Sequence, residues 1–516
     1  MTVIDNRRFG YYNKFGTSKK FGASTLDAEL AWGLEIDWNG DGLFSGASES
    51  LYMCGMRISR GRRAMLQRTG NGFENITTGK AVFTLWNDGG RYDGWNQNSD
   101  LYPNVTYGKD VRIRVRNVAT GAIEPVFYGV ISDIVPTSYS DRPQVNIHVE
   151  DGWVFLRNYT ASVPISIGVT PDAAIGLVLD DVGWPTRWGR SLDPAEADTI
   201  GYFWADGEKL AGTECEEIAN SFFGYFFVDA EGQARFIGRT TVGVSVADFD
   251  EGSIYKDINN PQPWVNQRNV MKVKVHPYDI SGTALLYEYF GTPKEIVSGG
   301  SETIFAAYTF NGQSVAALSI VAPVAYTDFT MNTISDGSGT DKTADCTVVA
   351  TNLGGVAKVV ITNNSASTVY RTKLNVRGVA VYEKSPLTVT YPSDPSNVVQ
   401  PKQLVMDLNW QQNPNQAADF CTVLGPFFEG LHPFPAIQVE SNFALQFGID
   451  LFDIVTLTSE RLGIDGVSFR VGGIEHETLT ENCQQVRTTF YLEPYVGGGT
   501  YWVWPAVWGT DTVFGW

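Results

Sequence analysis

The chain has 516 residues, of which 38 are Lys or Arg and 57 are Asp or Glu, so its formal net charge is −19. Hydrophobic residues make up 43% and charged residues 18%, which excludes an intrinsically disordered protein because such chains have few apolar residues and many charges. The acidic balance argues against a protein that binds nucleic-acid backbone, since phosphate contacts need clustered Lys and Arg. At about 100–200 residues per domain, the length predicts several domains.

Aromatic residues followed by glycine recur near both ends of the chain, in the segments 1–30 and 497–516. These aromatic residues are Phe9, Phe15, Phe21, Trp508 and Phe514. An even spacing places side chains on one face of an extended chain. One interpretation is two low-complexity tails. The other, which we adopt, is that both segments are arms that form interfaces with a neighbouring subunit, because large aromatic side chains are rarely left in water.

The segment 31–157 has the pattern of an all-β domain. Val111, Ile113 and Val115 alternate with arginines, so one face of that strand is expected to be buried. Regular Gly and Asn/Asp turns favour a barrel or a sandwich. The next segment, 158–264, changes period: Thr170 followed by Pro171 predicts a helix start, and a second amphipathic helix and a hairpin follow. We therefore predict a first β-barrel and then an α+β insert.

The remaining segments return to a β pattern. We predict that 265–294 supplies return strands to a second barrel and that the Thr- and Val-rich 295–399 is a β-sandwich-like insert. The segment 400–496 carries one helix and three strong strands, which predicts the second β-barrel. Nothing repeats as βαβ. The predicted fold class is mainly β with an α+β insert, multidomain, with two tube-like β-barrel domains, a helical insert and a β-sandwich-like domain.

Residues that carry catalysis are scarce. There are four His and five Cys, with no HExxH or CxxC spacing, and the cysteines are interpreted as small buried hydrophobic residues. Glu475, His476 and Glu477 are adjacent, but in a strand the His faces away from both Glu. We therefore predict that the protein is not an enzyme. No apolar stretch is long enough to span a bilayer, and no secretory signal peptide is recognisable.

One segment has the spacing of a metal site. Asp37, Asn39 and Asp41 supply oxygen ligands at positions 1, 3 and 5 of a possible calcium loop, and Gly42 permits the sharp turn. Position 12 is Ser48 rather than the expected Glu. The same residues are also preferred in a β-hairpin turn, and both interpretations stay open. Calcium is the one possible cofactor.

Several phrases, taken together and in order, resemble the baseplate hub or tail-tip hub proteins of long-tailed bacteriophages. The phrases that carry the resemblance are Glu35–Phe44, Ser59–Arg62, Gly79–Asp93, Val126–Ile131, Val149–Gly152, Asp450–Val455 and Phe469–His476. They cover roughly 30–240 and 400–495, including the helical insert. The segment 295–390 and the two aromatic–Gly ends match less clearly.

The resemblance implies a structural virion protein of the tail tip, assembled in the bacterial cytoplasm. It implies a homotrimer whose two barrel domains alternate in a pseudo-sixfold ring that continues the tail tube. Such a ring would contact a distal tail protein, the tape-measure protein and fibre or tip proteins, and DNA would pass through its channel during ejection without specific binding. An acidic lumen would repel DNA, as a conduit requires.

The alternative is a carbohydrate-binding tail-tip or cell-surface β-sandwich protein. The 14 Trp and 23 Tyr could supply stacking platforms for sugars. A hydrolase is a third possibility, but no recognisable catalytic site supports it. Trimeric rings would favour the first hypothesis, binding of cell-wall sugars the second, and turnover of peptidoglycan the third.

Overall fold

A computed structural model describes most of the chain. The described residues are 30–44, 48–63, 74–137, 142–195, 198–239, 241, 243–251, 255–259, 267–398, 400–430 and 432–495. The interface residues predicted at the two ends, Phe9, Phe15, Phe21, Trp508 and Phe514, lie outside them, so their role stays a prediction. Within the described residues, no helix is both long enough and apolar enough to cross a membrane.

The first unit consists of six antiparallel strands whose side chains alternate between a buried and a wetter face. They are β1 (Leu30–Ile36), β2 (Met53–Gly61), β3 (Thr77–Trp86), β4 (Asp110–Asn117), β5 (Ile123–Thr137) and β6 (Gln144–Glu150). Val111, Ile113 and Val115 are fully buried, as the alternation predicts. The hydrophobic core lies under this face of the sheet.

The second unit is the α+β insert. Its elements are α1 (Trp153–Leu156), β7 (Ser166–Val169), α2 (Pro171–Asp181), β8 (Arg190–Leu192), β9 (Ile200–Phe203), α3 (Ala211–Ser221), β10 (Tyr225–Val228) and β11 (Ala234–Ile237). Thr170 caps α2 with extended backbone and Pro171 takes the first helical position. The apolar faces of α2 and α3 pack together around Ala174, Ile218 and Ala219. The predicted helices and hairpin are confirmed.

Three strands follow, β12 (Ser245–Phe249), β13 (Tyr255–Asn259) and β14 (Val270–Val275). A sandwich comes next, built from β15 (Tyr278–Glu288), β16 (Glu295–Ile296), β17 (Ser301–Ala307), β18 (Thr309–Phe310), β19 (Gln313–Ser314), β20 (Ala316–Ile320), β21 (Phe329–Asn332), β22 (Cys346–Asn352), β23 (Val356–Asn363) and β24 (Val369–Glu383). One of its sheets centres on β24 and the other on β23, with a shared apolar core between them.

The last elements complete the fold. They are β25 (Leu387–Tyr391), β26 (Gln403–Leu408), α4 (Pro414–Glu429), β27 (Ala436–Glu440), α5 (Phe443–Phe447), β28 (Ile454–Ser459), β29 (Ile464–Thr478) and β30 (Val486–Pro494). Asn413 caps α4 by accepting a hydrogen bond from the Asn415 N–H, and Pro414 is its first helical residue. The mainly β, multidomain class with an α+β insert is confirmed.

The two predicted barrels are not closed. Within the described residues, their strands form one twelve-stranded sheet in the order β1-β4-β5-β6-β3-β2-β29-β30-β27-β13, with β28 and β12 branching from β29. The reason is that the outer edge of β2, which would close the first barrel, is occupied by β29, from Arg57 opposite Glu477 to Gly61 opposite Gly473. The two halves keep separate cores on the same sheet.

The segment 265–294 was predicted to return to the second barrel, and it does not. Its β14 pairs with β25 and β26 in a separate three-stranded sheet, and its β15 pairs with β24 of the sandwich. Val273 and Val275 are apolar and fully buried, and they pack with α4, which covers this small sheet. The strands that return to the large sheet are β12, parallel to β28, and β13, antiparallel to β27.

Candidate functional site

The two halves of the large sheet meet where β2 lies against β29, and three arginines at the end of β2 cross this boundary. The Arg60 Nη2 atom lies 2.6 Å from Asp450 Oδ1. Arg62 donates two parallel hydrogen bonds to the Glu493 carboxylate, at 2.7 and 2.9 Å, and both side chains are 4% exposed. Arg63 pairs with Glu475 at the surface. We call the group Arg60, Arg62, Asp450 and Glu493 the seam.

Glycines let the backbones approach at the seam. Gly61 has a φ of +78°, and a Cβ there would collide with the Gly472 carbonyl. A Cβ on Gly473 would collide in the same way with the Arg62 carbonyl, and one on Gly472 would lie 2.7 Å from Glu493 Oε1. Only glycine fits where backbone meets backbone this closely. The Arg62 N–H also donates to the Gly472 carbonyl, at 2.8 Å.

Burial controls the electrostatics of the seam and of the strands next to it. Burial alone would lower the pKa of Arg62, but the Glu493 carboxylate outweighs this effect and raises it, so the guanidinium stays charged. Asp151 accepts hydrogen bonds from the Gly79 and Trp153 N–H groups, at 2.7 and 3.0 Å. Burial raises the pKa of Asp151 to about 7 against the effect of these bonds. Segments about 300 residues or more apart in sequence, those of Arg62 and Asp151 and those of Asp450 and Glu493, therefore lie together in one buried, charged region.

The adjacent Glu475, His476 and Glu477 point to alternate faces of β29. His476 is buried, and its Nδ1 lies 3.0 Å from the Thr488 hydroxyl. Burial, with a contribution from Arg60, lowers the pKa of His476 to about 3, so the ring is neutral. Glu475 faces the other side of the strand and contacts Arg63 and Tyr491. The alternation expected in a strand is confirmed.

The predicted calcium loop is organised as a turn. Asp37 is buried, and its carboxylate accepts hydrogen bonds from the N–H groups of Gly40, Asp41 and Gly42, at 2.9, 3.3 and 2.8 Å. Asn39 donates to Asp41 at 3.0 Å. These bonds are those of an Asx turn, in which the carboxylate takes the place of a backbone acceptor. Within the described residues, no group of three or more His, Cys, Asp or Glu side chains is arranged to hold a metal ion.

The arginine stripe on β4 is partly neutralised inside the molecule. Arg112 and Arg114 both donate to one carboxylate oxygen of Glu35 on β1, at 2.7 and 2.9 Å. The guanidinium of Arg112 also lies over the Phe44 ring, 4.2 Å from its centroid. These two arginines therefore stabilise the pairing of β1 with β4.

Sequence reasoning missed two concave surfaces. One is a pocket of about 260 Å³ where the insert, the small sheet and the sandwich meet, lined among others by Trp204, Glu214, Tyr278 and Trp410. Burial raises the pKa of Glu214 to about 7. The other is a groove of about 580 Å³ beside the exposed ring of Trp95. The available signals were single aromatic residues, Trp204 and Trp410 for the pocket and Trp95 for the groove, and a sequence does not reveal that they line a concave surface.

All five cysteines are buried and unpaired. Burial raises the pKa of Cys54 and Cys421 to about 11 and that of Cys483 to about 12. They are therefore inert thiols that fill space in the cores, as predicted.

Several solved structures are similar to this chain. A tail protein from Neisseria meningitidis MC58 matches with a TM-score of 0.48 and 9% identity, over 90% of this chain and 97% of that one. A 43 kDa tail protein of prophage MuSo2 from Shewanella oneidensis matches with a TM-score of 0.48 and 8% identity, over 90% and 98%. A prophage tail protein from Listeria monocytogenes EGD-e matches with a TM-score of 0.39 and 9% identity, over 89% of each chain. No family model and no curated protein matches the sequence.

Proposed function

We propose that this chain is a structural protein of a phage tail, namely the hub that forms part of the tail tip or baseplate. The proposal starts from the sequence phrases that resemble such hubs. Five of those phrases meet at or beside the seam, which joins the N-terminal and C-terminal thirds of the chain into one sheet: Ser59–Arg62, Gly79–Asp93, Val149–Gly152, Asp450–Val455 and Phe469–His476. Loss of either partner of the buried Arg62–Glu493 pair would be costly, which supports a fixed connection between the two halves of the sheet.

The observation that carries the proposal is the open sheet. Within the described residues, the twelve-stranded sheet ends at β1 on one side and at β13 and the branch strand β12 on the other, and each of these three strands has one partner. Unpaired strand edges invite pairing with another chain, and a closed ring of copies satisfies all of them. Two sheet halves in each of three copies give the pseudo-sixfold ring that continues a tail tube.

In this assembly the ring docks a distal tail protein above and the end of the tape-measure protein inside, and fibre or tip proteins attach outside. DNA passes through the channel during ejection. Two of the most prominent arginines, Arg112 and Arg114, are paired with Glu35, and the net charge is −19. A net acidic chain repels the DNA backbone, which suits passage without binding.

The test is the mass and shape of the purified protein. Light scattering after size exclusion should give three times 56.8 kDa, and negative-stain images should show rings. A chain that stays a monomer at micromolar concentration, or density away from the tail axis in images of the particle, would contradict the hub.

The pocket at the three-unit junction favours a second candidate function, carbohydrate binding. Trp204 contacts Tyr278 and Trp410 edge to face, with ring centroids 5.2 and 5.7 Å apart, and Glu214 and Glu383 line the same pocket. A small cavity with aromatic walls and a few polar groups is the usual form of a ligand site. This function would be supported if the protein binds a cell-wall sugar array and Trp204→Ala abolishes the binding. Phe290→Ala, which lies outside the pocket, is the control and should bind as the unsubstituted protein does.

A further inference from the structure

The groove beside Trp95 is the most exposed aromatic surface among the described residues. Trp95 is 95% exposed and Tyr107 is 77% exposed. Ile134 and Pro136, on the extension of β5, line the same groove, whose volume is about 580 Å³. Large aromatic side chains this exposed are unusual on a protein surface, and grouped ones mark a binding surface. We call this group of four residues, with Asp93 and Asp133, the aromatic groove.

The loop that presents Trp95 is held in place by hydrogen bonds on both sides of that residue. The buried Tyr92 hydroxyl donates to Glu49 at 2.5 Å, so the loop is anchored to the core. Asn96 donates to the Gly89 and Gly90 carbonyls, both at 2.9 Å. Because hydrogen bonds fix the loop on both sides of Trp95, they also fix the ring in its exposed position. A docking surface that is already ordered loses less entropy when a partner binds.

The aromatic groove is acidic. Asp93 and Asp133 line it, and Asp88 and Asp100 are exposed on the same loop. Arg91, the nearest cation on the loop, is already paired with Glu49 and Asp100. A partner with basic and aromatic residues therefore fits this groove in both charge and shape.

The N-terminal segment of the chain has this chemistry. Between Asn6 and Leu26 it carries five Lys or Arg and no Asp or Glu, in a chain whose net charge is −19. Each of its repeats has the form basic residue, Phe, Gly: Arg8-Phe9-Gly10, Lys14-Phe15-Gly16 and Lys20-Phe21-Gly22. The glycine lets the backbone approach a surface closely. The C-terminal segment 496–516 has no Lys or Arg, so it lacks the complementary charge.

The attachment point of the N-terminal segment and the groove lie at opposite ends of the first unit. The chain enters β1 at Leu30, whose N–H and carbonyl are held by Gln484 at 3.0 and 2.8 Å, beside the Asn117 end of β4. The groove lies beyond the Asp110 end, about 24 Å away by the rise of an eight-residue strand. A segment that leaves one end of a copy and docks at the other end of the next copy makes a head-to-tail contact, and such contacts form a ring when the rotation between copies closes.

We propose that the segment 6–24 of one copy docks into the aromatic groove of the next copy, with Phe side chains packed against Trp95 and Tyr107 and the preceding Lys or Arg paired with Asp93 and Asp133. The neighbouring copy in this proposal rests on the proposed hub assembly. The contact ties adjacent subunits together through an aromatic anchor with charged surroundings. The repeats offer three chances for the same contact, so loss of one Phe is partly compensated by the others.

The first experiment measures whether the groove binds the segment, without regard to which copy supplies it. A chain that lacks residues 1–24 is mixed with a synthetic peptide of residues 6–24, and hydrogen exchange of segments 92–107 and 130–137 is followed by mass spectrometry. Protection by the peptide is expected, weakening with salt, and absent with a peptide whose three Phe are Ser. Trp95→Ser should weaken binding about 30-fold, as for one aromatic hot spot, whereas Phe290→Ser, which removes a ring that is 85% exposed elsewhere on the surface, should not. No protection by the peptide would overturn the proposal.

The second experiment identifies the copy that supplies the segment. Two full-length chains, one with Thr17→Cys and one with Thr106→Cys, are mixed and mildly oxidised. A disulfide between the two chains is expected, because Thr106 is exposed on the groove and all native cysteines are buried. A Thr510→Cys donor is the matched control and should give none. A bond formed only within one chain that carries both substitutions would overturn docking on a neighbour.

These outcomes separate the docking from the hub itself. If the full chain is a monomer by light scattering but the peptide protects the groove of the truncated chain, the proposed trimeric hub is wrong, and the binding of segment 6–24 by the groove is still supported. If the full chain is a trimer and neither protection nor cross-linking occurs, the hub stands and the docking proposal is wrong. Circular dichroism of the truncated chain controls for folding, since every described strand begins at Leu30 or later.

Discussion

Replacing Glu493 by Gln tests the seam most directly. The substitution preserves the shape of the side chain but leaves the Arg62 guanidinium charged and 4% exposed without a carboxylate partner. Removing one partner of a buried ion pair typically costs about 3–5 kcal/mol, because the remaining charge has lost its water as well as its partner. Glu493 lies on β30, which pairs with β29, so the ion pair ties the end of β2 to the C-terminal half of the sheet, and this energy should appear as easier separation of β2 from β29.

A local measurement is needed because the described chain has five separate cores, and its unfolding is not expected to be a single two-state transition. Hydrogen exchange of the amides of β2 and β29 reports opening of the seam itself. At 1.4 kcal/mol per tenfold change, Glu493→Gln should speed exchange there by about 100- to 4,000-fold, and exchange in the sandwich should not change.

Two further variants make the reasoning refutable. Glu475→Gln removes the partner of Arg63, whose side chain is 64% exposed, and should cost less than about 1 kcal/mol. Replacing both buried partners, Arg62→Met with Glu493→Leu, should recover most of the lost stability because neither charge is then stranded. If Glu493→Gln costs no more than Glu475→Gln, the Arg62–Glu493 pair does not hold the two halves together.

Three other predictions concern single residues. Gly61→Ala should destabilise the seam by several kcal/mol, because its Cβ collides with the Gly472 carbonyl, whereas Gly42→Ala, at a similar φ of +77° but with nothing within 4 Å, should cost about 1 kcal/mol; equal hydrogen-exchange rates of the β2 and β29 amides in the two variants would contradict this. Because burial raises the pKa of Asp151 to about 7 in the folded chain, folding takes up a proton between about pH 4 and 7; stability should therefore fall as pH rises through this window, and Asp151→Asn should flatten the slope. Titration with millimolar calcium should give no heat, and heat that Asp41→Ala removes would establish a metal site in this loop instead.

Local structure was predictable here because it depends on short patterns. The alternation of Val111, Ile113 and Val115 is enough to define a strand and its buried face, and the Thr170-Pro171 pair is enough to start a helix. Strand pairing was less predictable. A period of two shows which side chains are buried but not which strand is the neighbour, so two separate barrels and one joined sheet have the same pattern.

The seam shows why the site was harder to predict than the fold. Arg60 and Arg62 were recognised as part of a basic phrase, but their partners Asp450 and Glu493 lie about 400 residues later in the chain. Charge patterns carry no information about contacts at that separation. Trp95 was missed for a different reason: an aromatic residue is usually buried, and only the hydrogen bonds that shape its loop determine that it is exposed.

The seam and the aromatic groove have opposite consequences for assembly. At the seam, every arginine that crosses between the halves has a carboxylate partner within the same chain, so the charges that could attract another protein are already satisfied. Among the described residues, the outer edges of β1, β12 and β13 lack a neighbouring strand, and the ring of Trp95 is almost fully exposed. Contacts between subunits should therefore use backbone edges and exposed aromatic side chains. Acidic copies repel each other, so we expect a basic segment to lie between them at such a contact. The N-terminal segment, with its five cations, is the part of this sequence suited to that position.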